Sequence, residues 1–325
     1  LSDDYPIGGQ ALVEGVMMRG KDSYSIALVN KSGEISVTRF EHKSISQKHK
    51  IFKVPFIRGI GALVDSLKIG VKSLMFSANE MMKEEEELRG KKSKEKSKSS
   101  EKAQGFLMAF VSIIFGFGLF VAVPNILIHL LGVVESHDPI FFNVLSGAMR
   151  IMFFVGYVFA ISLMKDVRRV FQYHGAEHKA VNAYENGKEV NVEEASKFTT
   201  FHPRCGTSFM FFVLLIAIVV FSFVPLGITA LWPEFKLLHV VIRKSILIFS
   251  HILLLPIVAG ISYETIKLTY KGRANIFLKM LSLPGYGIQK ITTREPDETM
   301  IKCAVEALND VLNYKKEKDR AEEAA

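Results

Sequence analysis

The amino-acid sequence predicts a predominantly α-helical integral membrane protein with about four transmembrane helices, a small N-terminal β-hairpin and cytoplasmic helices. Three observations carry that reading. Hydrophobic residues make up 49% of the 325 positions. They collect in runs long enough to cross a hydrocarbon layer of about 30 Å. Charged residues gather at the ends of those runs and in one Lys/Glu-rich stretch. Near the N-terminus two segments rich in β-branched residues flank Lys31-Ser32-Gly33, a glycine-containing connection suited to a hairpin.

Composition narrows the functional classes. The formal charge of +8 lies largely in Lys/Arg-rich stretches beside apolar runs, where a negatively charged bilayer surface is the economical counter-charge. Membrane lipid, especially anionic headgroups, is therefore the expected partner. No recognised nucleic-acid-binding motif accompanies the basic residues, and no nucleic acid is expected. Cys205 and Cys303 are the two cysteines. The topology derived below puts both on the reducing side, so they are not read as a structural disulfide.

Residues 1–82 form an N-terminal region of hairpin and membrane-associated helix. GGQALVEGVMMRG, residues 8–20, reads as a turn with a short apolar segment, in which Glu14 is a candidate to orient a histidine or approach a substrate. YSIALVN and EISVTRF supply the hairpin strands. His42 and His49 follow in a basic loop and are expected to be solvated. From Val54 to Met82, Phe56, Ile60, Leu63, Leu67, Leu74 and Met75 are set against Arg58, Asp65, Lys68 and Lys72. Those charges argue against a buried span and for an interfacial helix. Residues 83–104, starting KEEEELRGKK, are like-charge blocks without core-forming residues, the pattern of a charged flexible linker.

Residues 105–263 are the transmembrane region. Its four spans run from Gly105 to about Leu130, Ile140 to Met164, Phe209 to about Leu231 and Ser245 to Tyr263, with Pro124, Pro225 and Pro256 as kinks or effective ends. The first loop, Leu131 to Pro139, carries Glu135, His137 and Asp138 without Lys or Arg. Lys165, Arg168, Arg169 and Lys179 follow the second span, and Lys267, Lys271 and Arg273 the fourth; Arg243 and Lys244 run against the bias. The balance places both termini and the 165–208 segment in the cytoplasm. Within the spans, Arg150 reads as an anchor near the outer interface, with an anion or lipid-headgroup contact as the alternative, and His251 as an interhelical hydrogen-bonding group. In the C-terminal region, residues 264–325, Pro284, Gly285 and Gly287 predict a turn. Pro296-Asp297-Glu298 then predicts a helix start, after which Ile301, Val305, Leu308 and Leu312 share one face.

The chemistry concentrates in FQYHGAEHKAVNAYENG, residues 171–187. On a helix turning about 100° per residue, His174 and His178 lie one turn apart with Glu177 in the same arc. The pattern H-x-x-E-H is that of the inverted zincins, in which two imidazoles hold zinc and a carboxylate activates its water. Two histidines leave coordination incomplete, and His202 or Cys205 of the HPRC cluster is the candidate third ligand. The candidate metal residues are therefore His174, His178, His202 and Cys205. Glu177, as general base or ligand, and Arg204, as a stabiliser of developing negative charge, are the candidate catalytic residues. A salt bridge to nearby acids is the simpler role for Arg204, and a solvated helix end just outside the bilayer is the simpler reading of the whole stretch. Glu14 or Glu185 is a candidate supporting carboxylate. A divalent metal is expected, with zinc favoured by the His/Cys composition and iron or manganese compatible with a His/Glu site.

GGQALVEGVMMRG, FQYHGAEHKAVNAYE, FHPRCGTSF and LPGYGIQKITTREPD resemble the YqhQ-like family of bacterial proteins, and the resemblance covers nearly the whole chain. It implies a multi-pass protein of the bacterial cell membrane and metal dependence, without supplying a reaction. The leading expectation is a metal-dependent hydrolase acting at the cytoplasmic membrane face on a lipid-linked or membrane-proximal substrate. The alternatives are a nonenzymatic membrane scaffold or assembly factor, partnered by a second copy or another membrane protein, and a transporter component.

Overall fold

The computed structural model describes residues 5–54, 57–89, 107, 110–112, 114–133, 139–271 and 276–323. The chain divides into two compact units. One comprises Leu1–Ser93, Ala160–Phe209 and Tyr263–Ala325, the other Lys94–Phe159 and Met210–Ser262. Four crossings would leave the N-terminal stretch, the segment between the second and third spans and the C-terminal stretch on one side of a bilayer. Those are the stretches that assemble into the first unit.

The first unit is organised by a four-stranded antiparallel sheet of β1 (Gly8–Leu12), β2 (Gly15–Arg19), β3 (Ser23–Val29) and β4 (Ile35–Glu41), in that spatial order. The expected hairpin is β3–β4, with Ser23 opposite Glu41 and Val29 opposite Ile35. The segment read as a turn plus apolar residues is itself a hairpin, β1–β2, with Gly8 opposite Arg19 and Leu12 opposite Gly15. Its turn is Val13-Glu14, with Glu14 at φ 52°, a left-handed conformation uncommon for a residue bearing a side chain. That turn lacks the usual Asn-Gly or Asp-Gly signal, which explains why the sequence conceals it.

Both faces of the sheet are covered, so all seven positions of β3 are buried instead of alternating. On one side Val16, Met18, Ala27 and Val29 pack with α5 (Lys165–Glu185) and α10 (Glu298–Glu323). Alanines at 176, 180, 304 and 307 in this core keep its helices close. Asp297 Oδ1 accepts from Met300 N at 2.9 Å and so caps α10 where Pro296-Asp297-Glu298 predicts its start. Ile301, Val305 and Leu308 are buried as their spacing predicts.

On the other side Leu12, Met17, Tyr24, Ile26 and Leu28 pack with Ile69 of α2 (Ile57–Leu88). The short α1 (Ile45–Lys48) lies before α2. Apart from Ile69, α2 buries a small or polar face: Gly59, Gly61, Asp65, Gly70, Ser73 and Ser77. Its apolar stripe of Val64, Leu67, Val71, Leu74, Met75 and Met82 is exposed. His42 differs from the expectation of a solvated loop residue. Its Nε2 lies 3.2 Å from Arg19 Nη2, which is 3.4 Å from buried Asp65, because burying that carboxylate requires charged partners. His49 is exposed as expected. The start of the expected linker is helical through Leu88, and residues 90–104 lie outside the described residues.

Among the described residues, four helices are long and apolar enough to cross a membrane: α3 (Phe110–Leu130), α4 (Pro139–Ser162), α7 (Gly206–Leu231) and α8 (Val240–Lys271). At most 28% of any apolar window is buried, as lipid-facing surfaces require. The helices continue through Pro225 and Pro256, while Pro124 follows a π-helical turn at Gly118–Ala122. Within the second unit, Ser146 Oγ donates to Asn125 Oδ1 at 2.8 Å, and His251 stacks on Phe221 at 4.3 Å. Glu135, His137, Asp138 and Arg273 lie outside the described residues.

Two further helices belong to the first unit: α6 (Val192–Ser196) and α9 (Ile276–Thr292). The expected turn at Pro284, Gly285 and Gly287 is instead helical. Close packing favours that outcome: a Cβ on Gly285 would stand 2.8 Å from Ser208 Oγ, so glycine serves approach here instead of reversal.

Candidate metal centre

The H-x-x-E-H segment lies on α5, whose one face carries His174, Glu177, His178, Asn182 and Glu185. That face is buried because the segment after α6 and the end of α9 close over it. Lys179 Nζ donates to Ser196 O at 3.1 Å, and Asn182 Nδ2 donates to the carbonyls of Thr199 and Phe201 at 3.1 and 3.0 Å. At the edge of that face Gly175 lies under the Arg294 carbonyl, which leaves no space for a Cβ.

These backbone contacts set the histidine tautomers. His174 Nδ1 lies 2.8 Å from Thr292 O, and His178 Nδ1 lies 2.5 Å from Thr200 O. A carbonyl only accepts, so both Nδ1 atoms carry the proton and both Nε2 atoms present lone pairs when the rings are neutral. Burial holds His178 below its usual pKa and therefore favours its neutral, ligating form. Cys205, just before α7, places Sγ 3.3 Å from His174 Nε2 and 3.0 Å from Thr207 Oγ1. Ligand atoms from His174, His178 and Cys205 all lie within 4.8 Å of one another. Two imidazole nitrogens and one sulfur, each ring oriented from behind by a carbonyl, form a donor set capable of coordinating a metal.

Glu177 borders this cluster, with Oε2 3.9 Å from His174 Nε2. Its burial requires Gly9 of β1, where a Cβ would stand 2.5 Å from Glu177 Cγ and 2.7 Å from Cδ. That burial raises the carboxyl pKa, with the nearby histidines opposing the rise.

His202 is placed differently from the other histidines. Its ring centroid is 5.6 Å from that of His178, but Nδ1 accepts from Arg204 N at 3.3 Å and Nε2 faces Glu185 Oε1 at 3.4 Å. In the neutral ring the proton is therefore on Nε2, opposite to His174 and His178. Arg204 also contacts Glu185, which joins His202 and Arg204 through one carboxylate. Gln289, fully buried on α9, holds the HPRC loop. It accepts from His202 N and donates to His202 O, both at 2.9 Å, and donates to Ser208 Oγ at 2.8 Å.

Glu14 does not orient a histidine. It accepts from Arg169 Nε and Nη2 at 2.6 and 2.5 Å and from the Tyr173 hydroxyl at 3.2 Å, which ties the β1–β2 turn to α5. Gln289, Asn182 and the carbonyls of Thr200 and Thr292 are absent from the sequence-derived site. Sequence spacing carries no signal for Gln289 or the two carbonyls, since His174 and Thr292 are 118 positions apart, whereas Asn182 lies one turn beyond His178 on the same helical face.

Fold and site define a multi-pass membrane protein in which a folded sheet-and-helix unit carries a largely buried His/His/Cys cluster. The chain belongs to the family described as "Protein of unknown function (DUF1385)", whose family model matches residues 54–314. It is 32% identical over 307 residues to the "Uncharacterized protein YqhQ" of Bacillus subtilis (strain 168), across 94% of this chain and 92% of that one. No solved structure matches it.

Proposed function

We propose that the first unit is a metal-dependent hydrolase acting at the cytoplasmic membrane face on a lipid-linked or membrane-proximal substrate. The observation carrying this reading is the pair of Nδ1–carbonyl contacts that leave His174 and His178 with their Nε2 lone pairs available beside Cys205. Those three residues hold the cation, and their N/S donor set favours zinc. A divalent metal supplies Lewis acidity that stabilises negative charge and eases deprotonation of water. Glu177 serves as proton acceptor from its buried position beside the ligands. His202 and Glu185 keep Arg204 in place to meet developing negative charge.

Several features support the membrane-proximal and cytoplasmic parts of this reading. Lys165, at the start of α5, comes three residues after the end of α4 at Ser162, and Cys205 immediately precedes α7. Lys165 and Arg168 are exposed near a span end, in keeping with a cytoplasmic face. The exposed apolar stripe of α2, edged by exposed Lys68 and Lys72, suits the interface of a bilayer containing anionic lipid.

The test is metal quantification on protein purified without chelators, for the unaltered chain and for His174→Ala, His178→Ala and Cys205→Ser. A stoichiometric metal is expected in the unaltered chain and loss from each variant. Absence of metal from folded protein, or retention in all three variants, sinks the proposal. The scaffold alternative draws on the Gln289 clamp and the His202–Glu185–Arg204 contacts, which brace the fold without any ligand. A stable, metal-free chain would favour it.

A further inference from the structure

We propose that the cleft between α2 and the sheet binds a phosphate-type anionic group of the substrate. This inference rests on the reading of the neighbouring metal centre as hydrolytic. The cleft has a volume of about 690 Å³, and Arg19, Lys21, Arg58 and Arg204 all line it. Asp65 is the acidic residue lining it. Carboxylates also hold three of the four cations in position: Arg19 faces Asp65 at 3.4 Å, Arg58 donates to Glu264 at 2.7 and 2.5 Å, and Arg204 contacts Glu185. They offset three positive charges while anchoring the guanidinium groups, and exposed Lys21 adds a fourth. A guanidinium has five N–H donors, whereas the two-point contact of Arg58 with Glu264 engages those on Nε and Nη2. The result is a set of pre-positioned donors with net positive charge, suited to a compact oxyanion.

The cleft adjoins the metal centre through two residues. Arg204 lines the cleft and contacts Glu185, which faces His202. Gly9 also lines it, and the same glycine packs on Glu177. Neighbouring strand residues point to opposite faces, so Gly8 and Gln10 face α2 while Gly9 faces α5. Consistent with this alternation, a Cβ on Gly70 of α2 would stand 2.6 Å from Gln10 Oε1. A substrate anion held at the cleft would therefore be separated from Glu177 by the glycine backbone of β1. The absence of side chains at Gly8 and Gly9 keeps that partition thin.

The experiment is isothermal titration of the full-length chain in neutral detergent with inorganic phosphate, dioctanoyl phosphatidic acid and dioctanoylglycerol. The variants are Lys21→Glu, at an exposed position, and Gly8→Trp. Gly8 lines the cleft and a Cβ there has no atom within 4 Å, so the larger side chain can start from the strand without a clash at its base. Phosphatidic acid should bind the unaltered chain and lose affinity roughly tenfold or more in each variant. Comparable binding of inorganic phosphate identifies the anion itself as the recognised group, whereas binding of phosphatidic acid alone identifies a lipid headgroup. Equal binding of dioctanoylglycerol, no binding of either phosphate-bearing probe, or affinity unchanged in both variants overturns the proposal. A His174→Ala/His178→Ala chain should keep its phosphate affinity. If that chain alone loses binding, the anion sits at the metal and the cleft assignment fails. If the unaltered chain has no metal but cleft-dependent binding persists, the metal reading fails and the cleft stands.

Discussion

Gly9 shows how a single missing side chain can position a reactive one. A methyl group there would overlap Glu177 Cγ, and the buried carboxylate would have to move within a packed layer. Gly9→Ala should therefore destabilise the protein by about 1–3 kcal/mol, the usual range for overpacking a core. Denaturant unfolding measures this cost, and Gly8→Ala provides the control because its Cβ enters open space. Equal stability of the two variants would remove Gly9 from the account of Glu177 placement. The sequence exposes the paired glycines but not their inequality, since one faces a helix and the other a cleft. His174 and His178 are the opposite case. Their common helical face is legible from spacing, while their tautomers depend on carbonyls from Thr292 and Thr200.

At the level of elements, α10 is fastened to the sheet by Arg39 of β4. Arg39 Nη2 and Nε donate to the two oxygens of Asp310 at 2.6 and 2.9 Å, and Ser25 Oγ donates to the same carboxylate at 2.5 Å. These hydrogen bonds, that from Arg39 foremost, hold the Asp310 pKa below its usual value. A carboxylate depressed in the folded state stabilises it fully above the unfolded pKa of about 3.9. That stabilisation is lost as pH falls through the lower folded value. Asp310→Asn should therefore be less stable than the unaltered chain at pH 7, with the difference shrinking below about pH 4. Thermal unfolding across that range checks it, and a constant difference would show that charge is not the source. The apolar spacing of α10 forecasts its buried face well. The similar spacing in α2 identifies a helix but not its buried side, because glycine, serine and aspartate fill that contact.

At the level of the whole molecule, the first unit draws together three segments that the four spans separate in sequence. This assembly requires its exposed positions to share one side of the membrane. Ser32→Cys, Lys197→Cys and Glu317→Cys sample the three segments at exposed sites, and both native cysteines are buried. A membrane-impermeant thiol reagent should label all three in inverted vesicles and none in intact cells. Split labelling would break the four-crossing topology, and labelling of all three only in intact cells would reverse its orientation. The charge bias supports the cytoplasmic choice, although buried Lys179 and its contact with Glu295 at 2.7 Å show that one of the counted charges has a structural role.

The sequence by itself determined the four apolar spans, the β3–β4 hairpin, the capped C-terminal helix and the helical face bearing His174, Glu177 and His178. Each depends on local periodicity, propensity or composition. Tertiary structure decided that Cys205 joins the two histidines, that His202 turns toward Glu185, and that Glu14 serves Arg169 and Tyr173. Those outcomes depend on which carbonyl, carboxylate or glycine arrives from a distant segment. Such contacts have no period in the chain, and only close packing of α5, α9, the HPRC loop and the sheet brings them together.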